Sequence, residues 1–219
     1  MKLYTFHQSG STYRVRIALN FKGIKYEPEY IVVAPNSPDL NNDAYVKLNP
    51  QRTAPTFVDG DVVLTQSMAI IEYLEKTHPE PALMPKDAAG RAWVRTLTQG
   101  IVCDTHPIIS QRIFQSLKND FAMNENMRNP WNQRWMVRGL GVLETMLAES
   151  SATGLFCHSD TPMMADAVLV PQIFTAGRFG LDLANDYPTI TRIVEHCKKL
   201  LPFIDAAPEN QPDHGAGKH

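Results

Sequence analysis

Hydrophobic and polar positions along the chain form two textures that meet near residue 80. In the first, short β-like runs alternate with helical segments. Lys2–Phe6 alternates apolar and polar residues and predicts a strand. Ser9-Gly10-Ser11-Thr12 gives a polar, cap-rich start to Tyr13–Lys22, where Val15, Ala18, Leu19 and Lys22 keep helical spacing and Gly23 ends the run. Tyr26–Val33, rich in Tyr, Ile and Val, predicts a second strand. After a polar loop, Asp43–Leu48 predicts a short helix stopped by Asn49-Pro50. Thr56–Val58 and Val62–Thr65 flank Asp59-Gly60-Asp61, which predicts a hairpin whose two central residues both take positive φ. Gln66–Thr77, with Met68, Ile71 and Leu74, predicts a helix on this small sheet. The order β-α-β-α-β-β-α requires a sheet with parallel and antiparallel parts.

His78–Pro85, with Pro79, Pro81 and Pro85, reads as a stiff linker, which divides the chain into domains over residues 1–80 and 86–207. Beyond it the periodicity is helical. Ala88–Leu117 carries a long apolar repeat that Pro107 kinks or breaks. Pro130 is placed to be the first residue of a helix reaching Glu149. Met163–Phe179 and Pro188–Leu200 predict two more helices, and the polar stretch 208–219 predicts a disordered tail.

Composition narrows the partners. With 21 Lys+Arg against 23 Asp+Glu, the net charge of −2 leaves no basic footprint for nucleic acid, so the expected ligand is small and held by local charge. The cysteines, Cys103, Cys157 and Cys197, form no CxxC pair and no zinc spacing, which points to a reducing, cytoplasmic setting and no metal. The N-terminus lacks the apolar core of a signal peptide. No stretch approaches the roughly 18 apolar residues of a membrane helix.

Three features carry candidate chemistry. The first is the turn Phe6-His7-Gln8-Ser9-Gly10-Ser11, where a helix start offers free N–H groups and a serine hydroxyl to an anion. On the turn alone, the plainer reading of Ser9 or Ser11 as an N-cap is preferred. The second is Thr53-Ala54-Pro55-Thr56, entering what is read as an edge strand. There the X-Pro bond is either trans, or cis with the backbone turned outward to pair with a peptide-like ligand. The third is Gln66-Ser67, a helix start suited to a carboxylate or, again, an ordinary cap. Together they describe a site for a small acidic peptide thiol.

The segment Ser9-Gly-Ser-Thr-Tyr-Arg-Val-Arg-Ile-Ala-Leu19 resembles the signature helix of the zeta-class glutathione S-transferases. Further matches to that superfamily are Leu48-Asn-Pro-Gln51, Ala54-Pro55, Gln66-Ser67-x-Ala69-Ile-Ile-Glu-Tyr-Leu74, Cys103-Asp-x-His-Pro107 and Asp166-x-x-Leu-Val-Pro-Gln172. The resemblance implies an α/β thioredoxin-like N-terminal domain followed by an all-helical C-terminal domain, and a homodimer. It implies glutathione as cofactor and, as activity, glutathione-dependent cis–trans isomerisation of maleylacetoacetate or maleylpyruvate. In that chemistry a thiolate adds reversibly to the cis double bond of a doubly acidic substrate.

By the same resemblance, Ser9 hydrogen-bonds the glutathione sulfur, and Ser11 and Gln51 line the tripeptide. Ala54, before Pro55, pairs with the cysteinyl backbone, and Gln66 and Ser67 hold the γ-glutamyl carboxylate. Asp104 meets the γ-glutamyl amine from a partner subunit. Arg178 binds a substrate carboxylate, with Arg112 a second cation of the same kind, and His106 is structural. The chain also departs from its relatives. Gln8 stands where many isomerases have Arg, and Ser11 replaces a cysteine, which disfavours mixed-disulfide chemistry. Ile109-Ser110 replaces Asn-Asn, and Met163 replaces the Ser or Thr that caps the helix of Asp166, leaving Asp160 or Thr161 as alternative caps. A broader transferase acting on small electrophiles such as α-halo acids, and a non-catalytic glutathione-binding protein, are the alternatives.

Overall fold

β1 (Lys2–Thr5) is the strand on which the first part of the chain is built. In the computed structural model, which describes residues 1–34 and 36–215, it lies in a four-stranded sheet of order β2-β1-β3-β4. β2 (Glu27–Tyr30) runs parallel to β1, and β3 (Thr56–Asp59) and β4 (Val62–Thr65) complete the antiparallel half. The parallel pair needs a crossover, and α1 (Gly10–Phe21) supplies it. β2 is shorter than the run of β-branched residues predicted. It is an exposed edge strand in which Pro28 has no N–H to give.

The hairpin forms, with a difference. Asp59 pairs with Val62, so the loop is Gly60-Asp61, and of these two only Gly60 has positive φ (57°). This places glycine at the first loop position, as a type II′ turn requires, instead of two positive-φ residues. β3 also proves to be an interior strand, not the edge strand expected after Pro55.

α2 (Pro38–Asn41) and α3 (Asp43–Leu48) connect β2 to β3. With Leu40 its one apolar residue, α2 shows no period in the sequence. α4 (Ser67–Thr77) buries Ile70, Ile71 and Leu74. Every residue of α1 from Thr12 to Leu19 is buried, because α4 and a late helix, α11 (Leu201–Ala206), both pack on it. The core of this unit holds Leu3, Val15, Leu19, Phe57, Ile71 and Leu74.

The chain divides into two compact units, Met1–Leu83 with Lys199–His219, and Met84–Lys198. The expected helical domain over 86–207 is therefore shortened at its end, since α11 rejoins the first unit. The expected linker is also partly absorbed. Lys22 Nζ donates to the carbonyls of His78 (2.7 Å) and Pro81 (3.0 Å), and Glu75 accepts from the Leu83 N–H (2.9 Å). The tail predicted as disordered is ordered at its start. A 3₁₀ turn spans Pro208–Asn210, Gln211 donates to the carbonyls of Asp205 and Ala207, and Asp213 bonds to His7. Residues 216–219 of that prediction lie outside the described residues.

The second unit contains α5 (Ala88–Val102), α6 (Gln111–Phe121), α7 (Glu125–Glu149), α8 (Met164–Gly177), α9 (Leu183–Asp186) and α10 (Pro188–Cys197). The periodicity over Ala88–Leu117 breaks at Cys103–Ser110, around Pro107, into α5 and α6. Pro130 lies inside α7, which begins five residues earlier after Asn124. The polar run Asn124–Asn129 carries no apolar repeat to reveal that start. α8 is buried from Met164 through Ile173, as suits a helix with α5 and α10 packed on it. Its start is held by Asp166, whose carboxylate accepts from the Met163 N–H (2.8 Å) and the Cys157 N–H (2.9 Å). Asp160, the alternative cap, instead accepts from Leu155 (2.9 Å). No helix among the described residues is long and apolar enough to cross a membrane.

Candidate functional site

Strand register brings the three candidate features to one end of the sheet. Tyr4, near the end of β1, pairs with Thr56 at the start of β3, and Thr56 pairs with Thr65 at the end of β4. The turn into α1, the Ala54-Pro55 bend and the start of α4 therefore leave the same edge of three neighbouring strands.

Ser9 is the N-cap of α1, its Oγ accepting from the Thr12 N–H at 3.3 Å. The capping reading is thus observed, and it leaves room for the other. Capping occupies a lone pair of Oγ, so the hydroxyl proton remains for an external acceptor at the positive end of the helix. Ser11 follows in the first turn, half-buried, and Gln8 is exposed. The loop is anchored from below by Arg16, only 1% exposed. Its guanidinium donates to the Phe6 carbonyl (3.3 Å), the His7 carbonyl (3.3 Å), Thr5 Oγ1 (3.1 Å), Thr12 Oγ1 (3.1 Å) and the Ala206 carbonyl (3.0 Å). Burial lowers this group to about 10, which leaves it charged at neutral pH.

The Ala54–Pro55 bond is cis. The bend around it is held by Asn49, which donates to the Thr53 carbonyl (2.7 Å) and Thr56 Oγ1 (3.0 Å), and by Tyr45, whose hydroxyl donates to the Thr53 carbonyl (2.6 Å). Ala54 precedes the β3 ladder, outside its pairing.

Gln66 starts α4 with φ 71°, a left-handed conformation that a residue with a Cβ seldom adopts. Its side chain does not cap the helix; it donates to Gln51 Oε1 at 2.8 Å. Ser67 is buried and accepts from Arg14 Nη1 at 3.4 Å. Gln51 is thus brought to the neighbouring pair Gln66 and Ser67, with Gln66 lying 15 positions further along the chain, and the three form one polar corner. Among the described residues no cluster of three His, Cys, Asp or Glu side chains is arranged to hold a metal ion.

The other predicted residues lie in the second unit. Asp104 is exposed in the turn after α5, on a concave surface shared with Trp135, Arg138, Val142 and Met146. Arg112 is exposed on the first turn of α6, and Arg178 is exposed as the C-cap of α8. Among the described residues these three are not hydrogen-bonded to one another.

Residues 3–82 match the family description "Glutathione S-transferase, N-terminal domain". Over 213 residues, 97% of this chain and 99% of the relative, the sequence is 44% identical to a maleylpyruvate isomerase of Ralstonia sp. The chain belongs to the zeta class of the glutathione S-transferase family. A holo structure of maleyl pyruvate isomerase, described as a bacterial zeta-class glutathione S-transferase, superposes with a TM-score of 0.92 at 43% identity, covering 97% of this chain and 99% of that one. A maleylacetoacetate isomerase from Methylobacterium extorquens, solved with bound malonate and glutathione, gives 0.91 at 36% identity, covering 97% and 98%.

In this zeta-class chain, sequence reasoning assigned no role to Arg14, Arg16, Asn49 or Asp213. Two arginines inside Val15-Arg16-Ile17-Ala18-Leu19 and its approach were a visible signal, since charge on a helix that is otherwise apolar must be buried with a purpose. Asp213 gave none, because it lies in a polar tail.

Proposed function

We propose that this protein is a glutathione-dependent cis–trans isomerase acting on maleylpyruvate or maleylacetoacetate. The observation that carries the reading is the convergence at one sheet end of a hydroxyl-capped helix start, an unpaired backbone segment at Ala54 and the Gln51–Gln66–Ser67 corner. This convergence occurs in a chain 44% identical to a maleylpyruvate isomerase. These groups suit the three parts of glutathione, which are a thiol, a peptide backbone and a free α-carboxylate.

Bound glutathione supplies the nucleophilic sulfur that turns the cis double bond into a rotatable single bond. Ser9 donates its hydroxyl proton toward that sulfur, and the α1 N-terminus favours its ionised form. Ala54 offers its backbone to the cysteinyl unit, with Pro55 fixing the bend, and Ser11 and Gln51 line the tripeptide. Gln66 and Ser67 hold the γ-glutamyl carboxylate. Arg178, with Arg112 as a second cation, holds carboxylates of the second substrate and stabilises the charge that develops there. Gln8 tunes the choice of that substrate.

The protein acts as a homodimer in the cytoplasm. Val137 and Val142 are exposed on α7 beside the concave surface that includes Asp104, a face suited to a second copy. Asp104 then reaches the partner's glutathione amine. The cysteines are free thiols, as a reducing compartment maintains them.

The test is turnover of maleylpyruvate, maleylacetoacetate, chlorodinitrobenzene and dichloroacetate by the purified protein with glutathione. Isomerisation of a maleyl acid is expected. Turnover of a halide alone would establish the broader transferase, and inactivity with glutathione-induced thermal stabilisation would leave a binding protein.

A further inference from the structure

α1 carries two buried arginines with opposite surroundings. Arg16 has acceptors around its whole guanidinium. Arg14, only 2% exposed, makes one long bond, from Nη1 to Ser67 Oγ at 3.4 Å, while its Nε and Nη2 have no hydrogen-bond partner among the described residues. A buried cation left this way is costly to the fold, because desolvation is not offset by pairing. Burial alone pulls it down to about 10, with no neighbouring carboxylate opposing that effect, and it remains charged at neutral pH.

Among the described residues, the group to which Arg14 donates, Ser67, begins α4. The N-cap side chain of that helix is turned aside to Gln51, so it does not satisfy the N–H groups of the first turn. An under-paired buried charge beside a helix start without a side-chain cap favours an anion placed against that start. We propose that Arg14 is a positioning residue for the α-carboxylate of the γ-glutamyl unit of glutathione. By donating to Ser67 Oγ it occupies a lone pair there, which turns the serine proton outward to the carboxylate. Its charge adds to the field of the α4 N-terminus. The inference rests on the proposed glutathione-dependent function and assigns the buried arginine behind that binding corner.

The test compares two ligands by calorimetry, glutathione and 4-aminobutyryl-cysteinylglycine, which lacks only that carboxylate. Arg14→Gln keeps a donor for Ser67 and removes the charge. It is expected to weaken glutathione about ten-fold or more while changing the analogue less than about three-fold. The ligand-free variant should unfold at the same or a higher temperature than the wild type, because an unpaired buried charge has been removed. Arg14→Lys, which keeps the charge, should recover most of the difference between the ligands. Equal loss for both ligands, no loss, or failure of Arg14→Gln to fold while Arg14→Lys folds would make Arg14 structural and overturn the inference. A wild-type protein that binds no glutathione overturns the proposed function as well. Glutathione binding without isomerisation overturns only that function.

Discussion

Asp213 and His7 are 206 positions apart in the chain, yet Asp213 Oδ2 accepts from the His7 backbone N–H at 2.8 Å and lies 3.2 Å from His7 Nδ1. Both side chains are largely buried, and the His214 ring stands edge-on to His7 at 5.5 Å. His7 is two residues before Ser9, so Asp213 fastens the loop that presents the proposed sulfur-binding hydroxyl. Asp213→Ala leaves a part-buried N–H unpaired, which is expected to cost about 1–3 kcal/mol of stability. It should lower kcat more than it raises KM for glutathione, because the loop loses its orientation and not its binding groups. Chain truncation after Gln211 should reproduce both effects. Unchanged kinetics in the truncated protein would reduce the contact to packing.

Ser9 has two roles that substitutions can separate. Ser9→Ala removes the N-cap of α1, at about 1 kcal/mol of stability, and the donor to sulfur. Isomerisation should fall ten-fold or more, about 1.4 kcal/mol of transition-state stabilisation. Ser9→Asp caps as well as serine but sets a carboxylate against the thiolate. It is expected to restore the denaturation midpoint without restoring the rate. Recovery of the rate by Ser9→Asp would leave Ser9 a cap alone.

Apart from α2, the strand-helix order of the first part could be read from the sequence because each element rests on local chemistry. Alternation marks β1, a cap box of small polar residues marks α1, and Asp-Gly marks the hairpin. What escaped was decided at long range or by context. α11 returns to the first unit through contacts with α1 that no short window contains, and Asp213 is ordered by an N–H 206 positions away. The interior place of β3 depends on which strands flank it, not on its own residues. Pro130 misled because proline fits a helix start and also, six residues in, a helix that gives up one backbone bond. Arg14 and Arg16 share one helix and one spacing pattern, and only the packed structure distinguishes the satisfied arginine from the unsatisfied one.

Lys22 and Glu75 form a buried pair at 2.8 Å, with the lysine side chain fully enclosed and the glutamate 8% exposed. The same lysine holds the carbonyls of His78 and Pro81, so the pair fixes the end of α4 to the segment that follows. Lys22→Met leaves Glu75 buried without its cation and is expected to cost about 3–5 kcal/mol in urea unfolding. Adding Glu75→Gln should recover a large part of that loss, since the uncompensated charge is then gone. A double variant as unstable as Lys22→Met would assign the cost to the lost carbonyl contacts instead.

Asp166 offers a pH dependence with a definite sign. Its carboxyl is fully buried, and burial pushes it up to about 6 despite the N–H groups of Cys157 and Met163. In the unfolded chain an aspartate titrates near about 3.9. Between these values the folded state holds the extra proton, so this group's contribution is fully present below about pH 4 and is lost as pH rises through about 6. The two-unit separation corresponds to about 2–3 kcal/mol. Other carboxylates titrate alike in wild type and Asp166→Asn, so their effects cancel in the difference between the two proteins. The variant is expected to be the less stable at pH 4, because an amide cannot accept from both N–H groups, and its deficit should shrink by pH 7. A constant deficit would mean that the two N–H bonds cancel the effect of burial, and one larger at pH 7 that they outweigh it.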